Sequence, residues 1–128
     1  MNYAEEQDRG DFLHDERRDA KMETLMEETL QPTKFQAGCY VTTYGVQGAV
    51  DKFLPEDRVT EFFHGLITRH LAGDWGDACE EDKQANEKAL QDGGMLMSVY
   101  KFNGEFPTLW VITEWDRSVC TILLPSEY

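Results

Sequence analysis

Three apolar runs fill the last third of the chain: MLMSVYKF at 95–102, TLWVITEW at 108–115 and VCTILL at 119–124. Each is too short for a stable isolated helix and rich in the β-branched and aromatic residues that suit a pleated surface, so each reads as a strand. A loop containing Asn103-Gly104 and a tight turn at Asp116-Arg117-Ser118 separate them, which predicts an antiparallel meander. The runs are apolar on both faces near their middles. One face should therefore take helices, and the other should be partly covered or used for contact.

Two helices are predicted upstream. In LPEDRVTEFFHGLITRHLAG, Pro55 occupies the first helical position, Glu56 and Asp57 lie in the first turn, and Gly73 supplies a left-handed stop. Val59, Phe62, Phe63, Leu66, Ile67 and Leu71 share one side of that helix, which must cover apolar surface. The second helix follows DWGD. Asp77 and Glu80 have the spacing of a capping box, and Ala78, Ala85, Ala89 and Leu90 make a thin face before the stop at Asp92-Gly93-Gly94. Further upstream, CYVTTY reads as a strand ending at Gly45, followed by a short turn or helix through VQGAVDKF.

The predicted fold is a small single α+β domain over 34–128. It has an antiparallel sheet of about four strands with two helices packed on one face. Residues 1–33 read as an acidic, partly helical arm, in which Met22, Leu25, Met26 and Leu30 fall at helical spacing before Pro32. A chain of 128 residues with 41% hydrophobic content leaves room for one core. No apolar run approaches the roughly 20 residues needed to cross a bilayer, and the acidic start is unlike a signal peptide, so a cytoplasmic protein without membrane contact is expected. Cys39, Cys79 and Cys120 are odd in number and far apart, which predicts reduced thiols.

The net charge of -13 repels DNA, RNA and anionic lipid and attracts basic protein surfaces. It is unevenly spread. Residues 1–33 hold ten acids against four bases, 34–73 balance at four and four, and 74–94 hold seven acids against two bases. Catalytic signatures are sparse. His64 and His70 are six residues apart and point to different sides of a helix, the cysteines form no C-x-x-C pair, and Asp74, Asp77, Glu80, Glu81 and Asp82 lack the alternating calcium-loop spacing. His70 reads as a half-buried packing residue and Arg117 as the local partner of a carboxylate. No nucleophile elbow, phosphate loop or dinucleotide fingerprint is present, so the chain reads as a non-enzyme with no cofactor and no metal.

The run RHLAGDWGDACEEDKQANEKALQDGG, with SVYKF, WVITEWDRS and TILLPSEY, resembles a family of small acidic, mostly uncharacterised proteins of plasmids, phages and other mobile elements, sometimes labelled after restriction systems. The resemblance covers about residues 39–128. Trp115, the FNGEFPT loop and the acidic arm depart from that pattern and add contact surface. The resemblance implies a genetic neighbourhood in which host nucleases and surveillance complexes must be survived. Together with the acidity, it leads to the expectation of a non-catalytic, anti-CRISPR or anti-restriction inhibitor that mimics nucleic acid on a basic effector.

The residues expected to meet that partner are Asp74, Trp75, Asp77, Glu80, Glu81, Trp115 and Asp116. Trp75, held between Gly73 and Gly76, is either an exposed anchor or a plug between two helices, and the plug is the favoured reading. Two alternatives stand beside this expectation. One is an accessory or regulatory protein-binding module of a mobile element, and the other is a small metal-assisted hydrolase built from Asp74, Asp77, Glu114 and Asp116. Oligomeric state is left open by the sequence.

Overall fold

The carboxylate of Glu127, one residue from the end of the chain, clasps the start of the first helix. In the computed structural model, residues 33–128 are described; the expected arm helix through Met22, Leu25, Met26 and Leu30 lies outside them. Strand β1 (Cys39–Thr42) runs into helix α1 (Tyr44–Phe53) through Thr43, an N-cap in extended conformation whose hydroxyl oxygen accepts the Val46 N–H. Glu127 accepts the Thr43 hydroxyl at 2.5 Å, the Gly45 N–H at 3.0 Å and the Leu124 N–H at 2.8 Å. One side chain thus satisfies donors at both ends of the fold.

A single 3-10 turn, Glu56–Arg58, leads into helix α2 (Val59–Leu71), so Pro55 precedes the turn and does not open the helix itself. Helix α2 stops at Gly73, whose φ of +84° lies in the left-handed region. Its apolar side is the predicted one. Leu66 and Leu71 are buried, and Phe62, Phe63 and Ile67 pack on the core beside them. Helix α3 (Glu80–Asp92) begins without the capping box expected of Asp77 and Glu80. Cys79 precedes it with no side-chain cap, because the Asp77 carboxylate is turned to the Lys101 N–H at 2.9 Å. The buried residues of α3 are Asn86 and Ala89, while Ala85 is exposed.

Strands β2 (Leu96–Tyr100), β3 (Leu109–Thr113) and β4 (Val119–Leu123) form the predicted antiparallel meander. Strand β1 joins it at β4, in parallel, giving the order β1-β4-β3-β2. The α+β fold stands, with a mixed sheet in place of an antiparallel one and three helices in place of two. Alternation identifies a strand but carries no direction, and β1 is separated from β4 by all three helices and two strands, so it can arrive either way.

All three helices serve one side of the sheet. Val46 of α1 and Leu66 of α2 pack with Tyr100, Leu109, Val111, Cys120 and Ile122, and Ala89 of α3 packs with Trp75, Ala78 and Leu96. The alternate residues form rows on the opposite side, Val99–Trp110–Leu123 and Met97–Ile112–Thr121–Val41. None of the helices among the described residues is long and apolar enough to cross a membrane.

Candidate interaction surface

The segment between α2 and α3 behaves as a truncated fifth strand. Gly76 bridges Val99 in parallel fashion, with the Val99 N–H donating to the Trp75 carbonyl at 3.1 Å and the Asp77 N–H donating to the Val99 carbonyl at 2.6 Å. The approach is close enough that only glycine fits. A Cβ on Gly76 would collide with the Val99 carbonyl and stand 2.6 Å from the Tyr100 ring, and the φ of +70° disfavours a side chain as well. Trp75 is thereby driven inward. It is 4% exposed, donates its indole N–H to Glu87 at 2.8 Å, stacks on Phe35 and meets His70 edge-on. The plug reading of Trp75 holds, and its ring is not offered to a partner.

The acidic residues divide by their neighbours. Asp74 pairs with Arg69 at 2.7 Å and accepts the Gly76 N–H at 3.1 Å. Partial burial works to raise its pKa, but the hydrogen bond and charge of Arg69 outweigh it and hold the carboxyl below its ordinary value. Asp77 is committed to Lys101. Both stay at the surface while doing structural work. Glu80 and Glu81 are exposed in the first turn of α3, where the helix dipole favours negative charge and no side-chain contact from the described residues fixes them.

Trp115 and Asp116 sit elsewhere. They occupy the β3–β4 turn, Trp115 is 69% exposed, and Asp116 accepts both the N–H and the hydroxyl of Ser118. This turn is tied to the far end of α3 by Arg117, whose guanidinium donates to the carbonyls of Ala89, Gly94, Glu114 and Trp115. Arg117 caps a helix C-terminus and, among the described residues, does not pair with a carboxylate as expected, because four backbone carbonyls converge where α3 and the turn meet. A helix of 13 residues is about 20 Å long. Glu80 and Glu81 at its start and Trp115 and Asp116 near its end therefore form two surfaces. The four residues of the hydrolase alternative are split in the same way, and among the described residues no three of His, Cys, Asp and Glu gather as a metal site.

Sequence reasoning missed a polar group in the core. His70 is fully buried, with Nδ1 2.6 Å from the Ser98 hydroxyl and Nε2 2.9 Å from the Thr113 hydroxyl. Burial, reinforced by the positive charge of Arg117, pushes its pKa down to about 3, so the ring is neutral at pH 7. A serine bonded to a histidine is the pairing that activates hydroxyl nucleophiles. Here Ser98 and Thr113 are both at 0% exposure, and the group is a satisfied interior network. Inward alternation of Ser98 with Leu96 and Tyr100, and of Thr113 with Leu109 and Val111, was the available signal. All three cysteines are free, Cys39 and Cys79 exposed and Cys120 buried. Comparison with protein-family models, curated proteins and solved structures finds no match to this chain.

Proposed function

We propose that the protein is a non-catalytic inhibitor of a host defence system, of the anti-CRISPR or anti-restriction type, acting in the cytoplasm of a bacterial host on a basic, nucleic-acid-binding effector. The observation that carries this reading is uncompensated acid. Residues 33–128 hold fifteen acids against eight bases, yet the ion pairs among them are two, Lys34–Glu87 and Arg69–Asp74. Glu80 and Glu81 are exposed at the start of α3, where they can meet arginines and lysines that otherwise grip phosphates. The resemblance to mobile-element proteins supplies the biological setting.

The test is a defended bacterial strain challenged with phage, with and without this protein. Restored plaquing under one defence system, together with co-purification of that system's nucleic-acid-binding component, supports the reading. Binding to that component should weaken steeply between 50 and 500 mM salt, because exposed charges are screened beyond about 8 Å at physiological ionic strength. Undiminished defence against every system tried, or binding indifferent to salt, removes it.

The exposed Trp115 favours a second reading, an accessory protein-binding module. An aromatic side chain at a turn tip is a contact anchor, and this one is remote from Glu80 and Glu81. Trp115→Ala separates the two. Loss of partner binding with salt dependence retained points to the module.

A further inference from the structure

The two edges of the sheet are treated differently. At β2 the outward backbone groups are occupied at three successive positions: Val99 by Trp75 and Asp77, Met97 by the side chain of Asn86, and the Lys101 N–H by the Asp77 carboxylate. Edge strands left uncovered are templates for pairing, and a protein suppresses that pairing by such devices or by charge. Among the described residues strand β1 has neither. Its residues Cys39, Tyr40, Val41 and Thr42 are uncharged; Cys39 is exposed, Tyr40 is 47% exposed and Val41 is 44% exposed.

The ladder fixes which groups point outward. Cys39 and Thr43 donate their N–H groups to Ser118 and Ile122, on the β4 side. In a parallel pair the intervening residues face away, so Tyr40 and Thr42 turn their N–H and C=O groups to the open edge. We propose that β1 pairs antiparallel with β1 of a second copy of this chain, about a two-fold axis at Val41, joining two four-stranded sheets into one of eight.

The register follows from those groups. Tyr40 stands opposite Thr42 of the partner as a hydrogen-bonded pair, twice by symmetry, and Val41 stands opposite its own copy as a non-hydrogen-bonded pair. A second copy of a chain of net charge -13 is repelled least where local charge is balanced, and β1 is such a place. An isologous contact brings every charge against its equivalent, and residues 39–53 carry one acid, Asp51, and one base, Lys52. Helix α3, with Glu80, Glu81 and Asp82, packs by β2 at the opposite edge. In the paired sheet the two β2 strands are seven strand spacings apart, about 34 Å, several times the screening length of about 8 Å. The described acidic edges thus do not oppose pairing, while a basic partner would find nothing to attract it at β1.

The contact is small, so a dissociation constant on the order of 10–100 μM is expected. Sedimentation velocity of the full chain from about 5 to 500 μM should show the mass rising from monomer to dimer. Val41→Lys places two ammonium groups face to face and should keep the chain monomeric at all concentrations with its melting curve retained. In a Cys39→Ser, Cys79→Ser background, Val41→Cys should be crosslinked by oxidised glutathione. The two thiols give up two electrons and two protons to form one disulfide, leaving two reduced glutathiones. The fully exposed control Tyr44→Cys in the same background should crosslink at least tenfold more slowly. A wild-type monomer at 500 μM overturns the proposal, as does a dimer unaffected by Val41→Lys or equal crosslinking at the two positions. A chain that stays monomeric and protects its 39–43 amides only when another protein is added assigns the edge to a different partner.

Discussion

Asn86 hydrogen-bonds both backbone groups of Met97, donating Nδ2–H to its carbonyl at 2.7 Å and accepting its N–H at 3.0 Å. A side-chain amide thereby stands in for one residue of a neighbouring strand, fixing α3 against the edge of the sheet. Asn86→Ala leaves a donor and an acceptor without partners in a half-buried place, at about 1–3 kcal/mol. Asn86→Asp keeps the acceptor but sets a carboxylate against the Met97 carbonyl, and should cost at least as much. Chemical denaturation of both variants, with hydrogen exchange at the Met97 amide, checks this.

Trp75→Ala should cost about 3–5 kcal/mol, the range for removing a buried large aromatic. Trp75→Phe should cost less, since it keeps the contact with Phe35 and gives up the bond to Glu87. Binding to any partner should survive Trp75→Phe under conditions where the domain remains folded. Weakened binding at unchanged stability would return Trp75 to the contact surface.

Stability should fall on acidification through His70. Its folded pKa of about 3 lies below the ordinary value of 6.5, so the unfolded chain binds the extra proton between those limits. The slope is about 1.4 kcal/mol per pH unit from this group, lost as pH falls from 6.5 toward 3. His70→Gln should show a lower stability at pH 7 and a shallower decline below pH 6.5, read from urea midpoints at a series of pH values.

Glu127 is perturbed in the same direction as His70, downward, and with the same outcome. The Thr43 hydroxyl, followed by the Leu124 and Gly45 N–H groups, holds its carboxyl below the ordinary value. Its contribution is present above the unfolded pKa and disappears as pH drops through the lower, folded one. Glu127→Gln should reduce the melting temperature at neutral pH and equal the wild type at a pH below both values.

Glu80→Lys with Glu81→Lys should leave the fold in place, since exposed charges at a helix start contribute about 0.3–1 kcal/mol each. Under the proposed function, affinity for the effector should drop at least tenfold, mainly through slower association. Affinity maintained after both reversals would exclude this end of α3 from the contact.

The meander, α2 and the inward rows of the sheet were legible because each rests on local periodicity, as in the burial of Leu66 and Leu71 or of Cys120 and Ile122. What escaped depends on partners distant in sequence. Asp77 and Glu80 have the right spacing for a cap, but the Lys101 N–H competes for Asp77, and the sequence carries no sign of that competition. Asn86 carries no local sign of its role because its partner, Met97, lies in another element. Arg117 was expected to seek a carboxylate, yet carbonyls from α3 converge on it. The candidate surface was legible in its acidity at Glu80 and Glu81. Its division was not, since only the fold reveals that the Trp115 turn lies toward the other end of α3.

Strand β4 lies between β1 and β3, although it is the last strand to be made. During synthesis β1 leaves the ribosome about eighty residues before the segment that will pair with it, and β3 waits with one side bare. Contacts this distant in sequence form slowly. The nascent chain therefore spends its longest vulnerable interval with an apolar, incomplete sheet, the condition in which chaperones are needed and neighbouring nascent chains associate. Yield in cells should be governed by that interval more than by the stability of the finished domain.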